Sequence, residues 1–183
     1  MKPIQKVCFS SVLLFLSIHV SAYEIETHAQ LSKAAVEASR VTLDPSLLKD
    51  LGVDPTQKFT NSKGDKLLIP DLFRDGARFE DNFPRSANHF FDPFNGQGLS
   101  VKGIVIGSPS PDWALEDKGE IIGGPVLRGQ EFSYRDARFF FYMALKRPTK
   151  DERERNFGMT FQTLGQVIHH VQDMAQPQHG GWA

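Results

Sequence analysis

A chain of 183 residues with 40% hydrophobic side chains is long enough to bury one core, and its 21 basic against 22 acidic residues exclude a protein that coats nucleic acid by charge. The single cysteine, Cys8, lies within the first 22 residues, so once these are removed neither a disulfide nor a thiolate zinc site can form. Gln5-Lys6-Val7 before it is a poor approach for lipid anchoring.

Residues 1–22, MKPIQKVCFSSVLLFLSIHVSA, join a Lys2/Lys6 start to an apolar stretch and the small residues Val20-Ser21-Ala22. This is the pattern of a secretory signal peptide, with cleavage expected after Ala22 and delivery to the periplasm or the outside. Ser17 and His19 interrupt the stretch, which is too short and polar for a spanning helix of about 20 apolar residues, so no transmembrane segment is expected. Removing it takes away two lysines and no acid, moving the formal charge from −1 to −3 and leaving residues 23–183 as one domain.

In chain order, the alanine-rich HAQLSKAAVEASRV predicts a helix from about Glu26 to Ser39, with Leu31, Ala34, Ala35 and Ala38 at helical spacing. Asp44-Pro45 opens a short helix through Leu47-Leu48-Lys49, stopped at Gly52. A third runs from Pro70 to about Asp81. From Phe83 to Phe132 the chain is dense in Gly and Pro without sustained period and reads as a long loop, of the kind that covers a site. Ser133 with Asp136 caps a helix from Tyr134 to Arg147, whose Phe139-Phe140-Phe141-Tyr142 run predicts a central position. Thr149 with Glu152 opens the last helix, which Pro177 ends at about Gln176.

On that last helix Phe157, Phe161, Leu164, Ile168, Val171 and Ala175 form one expected buried stripe. His169 and Asp173, one turn apart, stack together roughly 140° around the helix from it. Gly158 and Gly165 on their side leave room for another object to approach. An imidazole and a carboxylate so placed make half of a metal site, although the same spacing also fits a solvated helix face. The mature chain holds four further histidines: His28, His89, His170 and His179. For His89, in Asn88-His89-Phe90-Phe91-Asp92-Pro93, a hydrogen-bonded place in an aromatic cluster fits as well as ligation. His170 points to a different side from His169 and reads as a supporting or structural residue.

The stretches Gly76-Ala77-Arg78-Phe79-Glu80-Asp81, Asn88-His89-Phe90-Phe91-Asp92-Pro93 and Leu164-Gly165-x3-His169-x3-Asp173-x2-Gln176-Pro177-x-His179 together resemble the zinc-dependent phospholipase C and single-strand-specific nuclease superfamily. The resemblance implies an all-α, multi-helical fold with three zinc ions in a cleft. It implies that Asp81, His89, His169 and Asp173 hold one ion, and that Asp173 also reaches a second held by His28 and by the free amine and carbonyl of Tyr23. The family's usual first residue is Trp, so Tyr23 departs from the pattern, though the ligating atoms are backbone. His179 would belong to the third ion. The family completes that site with a later His-x3-Glu or His-x3-Asp, which does not follow here, so the resemblance implies a truncated member that retains two ions and has impaired turnover.

The implied activity is hydrolysis of a phosphoric ester, in a phospholipid or a single-stranded nucleic acid, by water that clustered zinc ions activate. Asp81 is the expected base orienting that water, with Asp75 and Glu80 as rivals, and Asp92 is a candidate to orient the imidazoles. A second class of function fits the same residues: a non-catalytic, metal-binding helical relic, or a fragment that needs a partner chain.

Overall fold

The computed structural model describes residues 18–115, 130–176 and 179, with side chains from residue 25 onward. The signal-peptide reading of residues 1–22 falls mostly outside the described residues, as do positions 116–129 of the long loop. The described chain is mostly helical, and none of its helices is long and apolar enough to cross a membrane.

The first helix, α1, spans Ile18–Glu37 and begins earlier than expected, crossing the Ala22–Tyr23 junction without a break. No glycine or proline stands between Ile18 and Glu37 to stop it. A single turn, α2 (Arg40–Leu43), leads to α3 (Pro45–Lys49), which Asp44 caps by accepting from the Ser46 amide. A two-residue hairpin, β1 (Phe59–Thr60) with β2 (Lys66–Leu67), precedes α4 (Ile69–Glu80).

The expected loop contains elements of its own: a 3-10 turn at Arg85–Asn88, the hairpin β3 (Ser100–Val101) with β4 (Ile104–Val105), and α5 (Ser110–Leu115). Lys102 and Gly103 both have positive φ, as a tight two-residue hairpin turn requires, and strands this short leave no periodic signal to read. Then come α6 (Tyr134–Lys146) and α7 (Lys150–Asp173), each opened by a complete capping box, Ser133/Asp136 and Thr149/Glu152.

Helix α7 is the axis, with α4 on one side, α6 on another and α1 packed on α4. Phe157 and Phe161 of α7 meet Phe59 of β1 edge-on at 6.2 and 5.9 Å, while Phe161 also lies 6.1 Å from Phe73 of α4. Val36, Leu48, Val53, Ile69, Leu72 and Ala144 complete this core.

Two expectations need correction. Helix α6 is peripheral, because only Asp136, Ala137 and Ala144 are buried, whereas Phe139 and Tyr142 are 56% and 53% exposed. Of its aromatic run, Phe141 reaches the core, against Phe157 at 6.2 Å. The stripe on α7 is buried at Phe157 and Phe161, but Val171 and Ala175 at its far end are exposed. The more deeply buried face carries Gly158, Gln162, Gly165, His169 and Asp173.

That face is buried by close backbone approach. A Cβ at Gly165 would stand 2.2 Å from the Phe73 carbonyl oxygen, one at Gly76 of α4 would stand 1.9 Å from that of Gln162, and one at Gly158 would stand 2.1 Å from that of Thr60. The object admitted by the glycines of α7 is therefore the backbone of α4 and β1. Gln162 closes the gap with side-chain bonds to the Ser62 amide and hydroxyl.

In an open helix Gly→Ala adds about 1 kcal/mol of stability. Gly165→Ala is expected to do the opposite, lowering stability by about 1–3 kcal/mol through overpacking in urea denaturation, and a more stable variant would refute the contact. Thr149→Ala should cost about 1 kcal/mol. Thr149 also holds the Glu152 carboxyl below its ordinary value of 4.5, so the part that carboxylate adds to the cap is present above pH 4.5 and is lost as pH falls through the lower folded value, while the bond from the Glu152 amide to Thr149 remains. The gap between wild type and variant should narrow accordingly in unfolding curves taken at falling pH.

Candidate metal centre

The contact between α4 and α7 sets the C-terminal end of α4 beside the last turns of α7. Asp81 follows directly on α4 as its C-cap, and His89 ends the 3-10 turn. The segment carrying His89 is pinned from both sides. The Asn88 side chain accepts from the Ser108 amide, the Phe90 carbonyl accepts from Ser110, and the Phe91 amide donates to the His179 carbonyl at 3.0 Å.

Four ligand-type atoms converge there. His89 Nδ1 and His169 Nε2 are 3.3 Å apart; each lies 3.2 Å from Asp173 Oδ2 and 3.6 Å from Asp81 Oδ1. A tetrahedral ion with bonds of about 2.0–2.1 Å spaces its ligand atoms about 3.3–3.4 Å apart, and the two imidazole nitrogens keep close to that spacing from each other and from each carboxylate oxygen. The other oxygen of Asp173, Oδ1, is approached by His28 Nε2 at 3.4 Å and His179 Nδ1 at 2.9 Å. One carboxylate thus faces two groups of imidazoles. His179, which the family resemblance assigned to a third ion, meets the same oxygen as His28.

His169 and Asp173 are wholly buried, which removes the solvated-face alternative. Asp81 Oδ2, both Asp173 oxygens and His179 Nδ1 are buried without a hydrogen-bond partner. Their contacts with neighbouring nitrogens are short but lack hydrogen-bond direction. Buried polar atoms are almost always satisfied, so several orphans aimed inward fit a cation as their common partner.

Burial, followed by the neighbouring His169 and His170, pushes His89 down to about 3, so its imidazole is neutral and able to ligate. Burial also raises Asp81, with the Asp173 charge adding to it. Burial would raise Asp173 too, but the adjoining His169 and His179 outweigh it and hold the carboxyl well below its usual range. For His169 burial pulls downward, yet Asp173 beside it, and then Asp81, raise it above its ordinary value.

Sequence reading missed several supporting residues. His28 Nδ1 donates to Gln172 Oε1 at 2.7 Å, Gln172 Nε2 donates to Ser32 Oγ, and the Gln176 amide lies 2.7 Å from His28 Nε2. With its proton on Nδ1, His28 accepts at Nε2 from the Gln176 side-chain amide, with Asp173 Oδ1 at 3.4 Å from the same nitrogen. Nothing in sequence flags an amide bonded to a residue 144 positions away. The rivals to Asp81 are engaged elsewhere: Asp75 accepts from Asn61, and Glu80 is saturated by Arg85, Trp113 and His170. That saturation also removes the set Glu80, His89 and His170 from contention as a metal site, although their ligand-type atoms lie within 4.8 Å of one another. Asp92 accepts from the Phe94 amide within its own turn.

Tyr23 lies inside α1 as a peptide residue, and its side chain is outside the described residues. A cavity of about 340 Å³ opens beside the cluster, lined by His28, Asp81, His89 and His179 together with apolar residues including Phe90 and Ile106.

Fold and centre together define a mostly helical protein with buried His/Asp groups able to hold a metal ion. Compared with family models, curated proteins and solved structures, the chain matches none.

If an ion occupies these groups, zinc at about 100 times its Kd should stabilise the fold by about 2.7 kcal/mol, and excess chelator should remove the gain. A thermal midpoint indifferent to zinc would count against the centre.

Proposed function

We propose that this chain is a secreted zinc-dependent phosphoric ester hydrolase, acting on the phosphodiester of a phospholipid or a single-stranded nucleic acid. The observation that carries the reading is the quartet of His89 Nδ1, His169 Nε2, Asp81 Oδ1 and Asp173 Oδ2, in which each carboxylate oxygen stands within 3.6 Å of both imidazole nitrogens, beside a cavity. The resemblance in sequence adds the reaction class. In this reading Asp81, His89, His169 and Asp173 hold one ion. Asp173, His28 and the Tyr23 amine and carbonyl freed by signal cleavage hold another, and His179 stands at the margin.

Zinc, when bound, supplies Lewis acidity to a phosphoryl oxygen and brings the pKa of water toward about 7. The chain's own part is positional. Asp81, a residue that lines the cavity, commits Oδ1 to the quartet and leaves Oδ2 buried and unpartnered. From there it accepts a proton as the water oxygen bonds to phosphorus and the bond to the departing alkoxide breaks.

A second reading, a metal-binding helical protein that needs a partner chain, draws on the exposed Phe139, Tyr142 and Leu145 of α6 and Val171 of α7.

Elemental analysis of protein beginning at Tyr23 is expected to find about two zinc ions per chain, lost together in Asp173→Ala. Soluble, helical protein without zinc would overturn the proposal. Against phosphatidylcholine vesicles and single-stranded DNA, Asp81→Asn should lower turnover about 10²–10⁴-fold. Loaded wild-type protein inactive on both substrates would leave the second reading standing.

A further inference from the structure

Next to the quartet lies a second buried cluster, whose side chains contribute no atom to it. Glu80, the last residue of α4, is fully buried and accepts four bonds. Trp113 Nε1 and His170 Nε2 reach its Oε1, each at 2.9 Å, while Arg85 Nε and Nη2 reach Oε2 at 2.8 and 2.6 Å. Ser110 Oγ lies 2.8 Å from His170 Nδ1, and the Arg85 guanidinium also donates to Gln130. Burial would raise the Glu80 carboxyl, but Arg85 and then His170 hold it well below the usual carboxylate range, so the cluster contains a carboxylate and a guanidinium.

Burying such a pair brings little stability compared with an apolar core. Its placement suggests another use. Glu80 and His170 are the chain neighbours of Asp81 and His169, so the 2.9 Å bond between them fixes the separation of the two backbones that carry those ligands. The Glu80 carbonyl meets His89 Nε2 at 3.2 Å, and because a carbonyl can only accept, the His89 proton sits on Nε2 and the Nδ1 lone pair turns to the quartet. Arg85 sits between Asp81 and His89 in the chain and is bonded to the same carboxylate. Three of the four quartet residues are therefore set by one side chain and its own carbonyl.

We propose that Glu80, through His170, Arg85 and Trp113, is the positioning residue of the metal centre, holding Asp81, His89 and His169 at ligand spacing before an ion arrives. The proposal rests on the quartet being a metal site. Losing a residue that orients ligands typically weakens metal affinity about 10–100-fold.

The test is zinc affinity by chelator competition, together with the visible absorption of the cobalt-substituted protein, for wild type, Glu80→Gln and the milder Trp113→Phe, which removes a single bond to Glu80. Asn61→Ala, in the hairpin at the other end of α4, serves as a destabilised control. Glu80→Gln is expected to bind zinc about 10–100-fold more weakly with an altered cobalt spectrum, Trp113→Phe to shift both in the same direction, and Asn61→Ala to change neither despite a lowered thermal midpoint. If Glu80→Gln does not fold, Trp113→Phe decides. Wild-type affinity and spectrum in the Glu80 and Trp113 variants would overturn this inference while leaving the centre intact. Wild-type protein that binds no zinc would overturn both.

Discussion

Everything in this molecule depends on how closely α4 and α7 approach. Backbone meets backbone at Gly76 and Gly165, where no side chain fits between the helices. Glycine within a helix costs about 1 kcal/mol of propensity at each position, so the approach opposes local preference. It allows Asp81, at the end of one helix, to stand at ligand spacing from His169 on the other. Larger residues at the crossing would force the helices apart and carry Asp81 away from the imidazoles.

The same closeness explains why the better-buried face of α7 is polar. Gln162, His169, His170 and Asp173 are nearly or fully buried there, while Val171 on the apolar stripe lies in solvent. The buried groups divide into two kinds. Gln162 bonds Ser62, and His170 bonds Glu80 and Ser110. The Asp173 carboxylate, in contrast, is left without a hydrogen bond. Where Gln162 and His170 are satisfied within the protein, this carboxylate is left open toward the imidazoles around it.

What could be read from sequence was local. The caps Asp44, Ser133/Asp136 and Thr149/Glu152 act within three residues of chain, and each starts its helix where expected. Spacing alone paired His169 with Asp173. Only likeness to a family brought Asp81, His89 and His28 to them, because no period links positions 80 or more residues apart. Helix α6 was misjudged for a related reason: aromatics at four consecutive positions cover every side of a helix, and Phe141 alone meets Phe157. The roles of Gln172 and Glu80 were invisible, since each depends on partners supplied by another part of the chain.

His28 and His179 come together at Asp173 Oδ1, across almost the full length of the chain that follows the expected cleavage point. An ion gripping these imidazoles would close a loop of about 150 residues, and the entropy that such a closure removes from the unfolded chain grows with the logarithm of loop length. With Cys8 its only thiol, this chain has no covalent bridge of its own. The centre is placed to serve as that bridge, so that chelation would act on this protein much as reduction acts on a disulfide-bonded one.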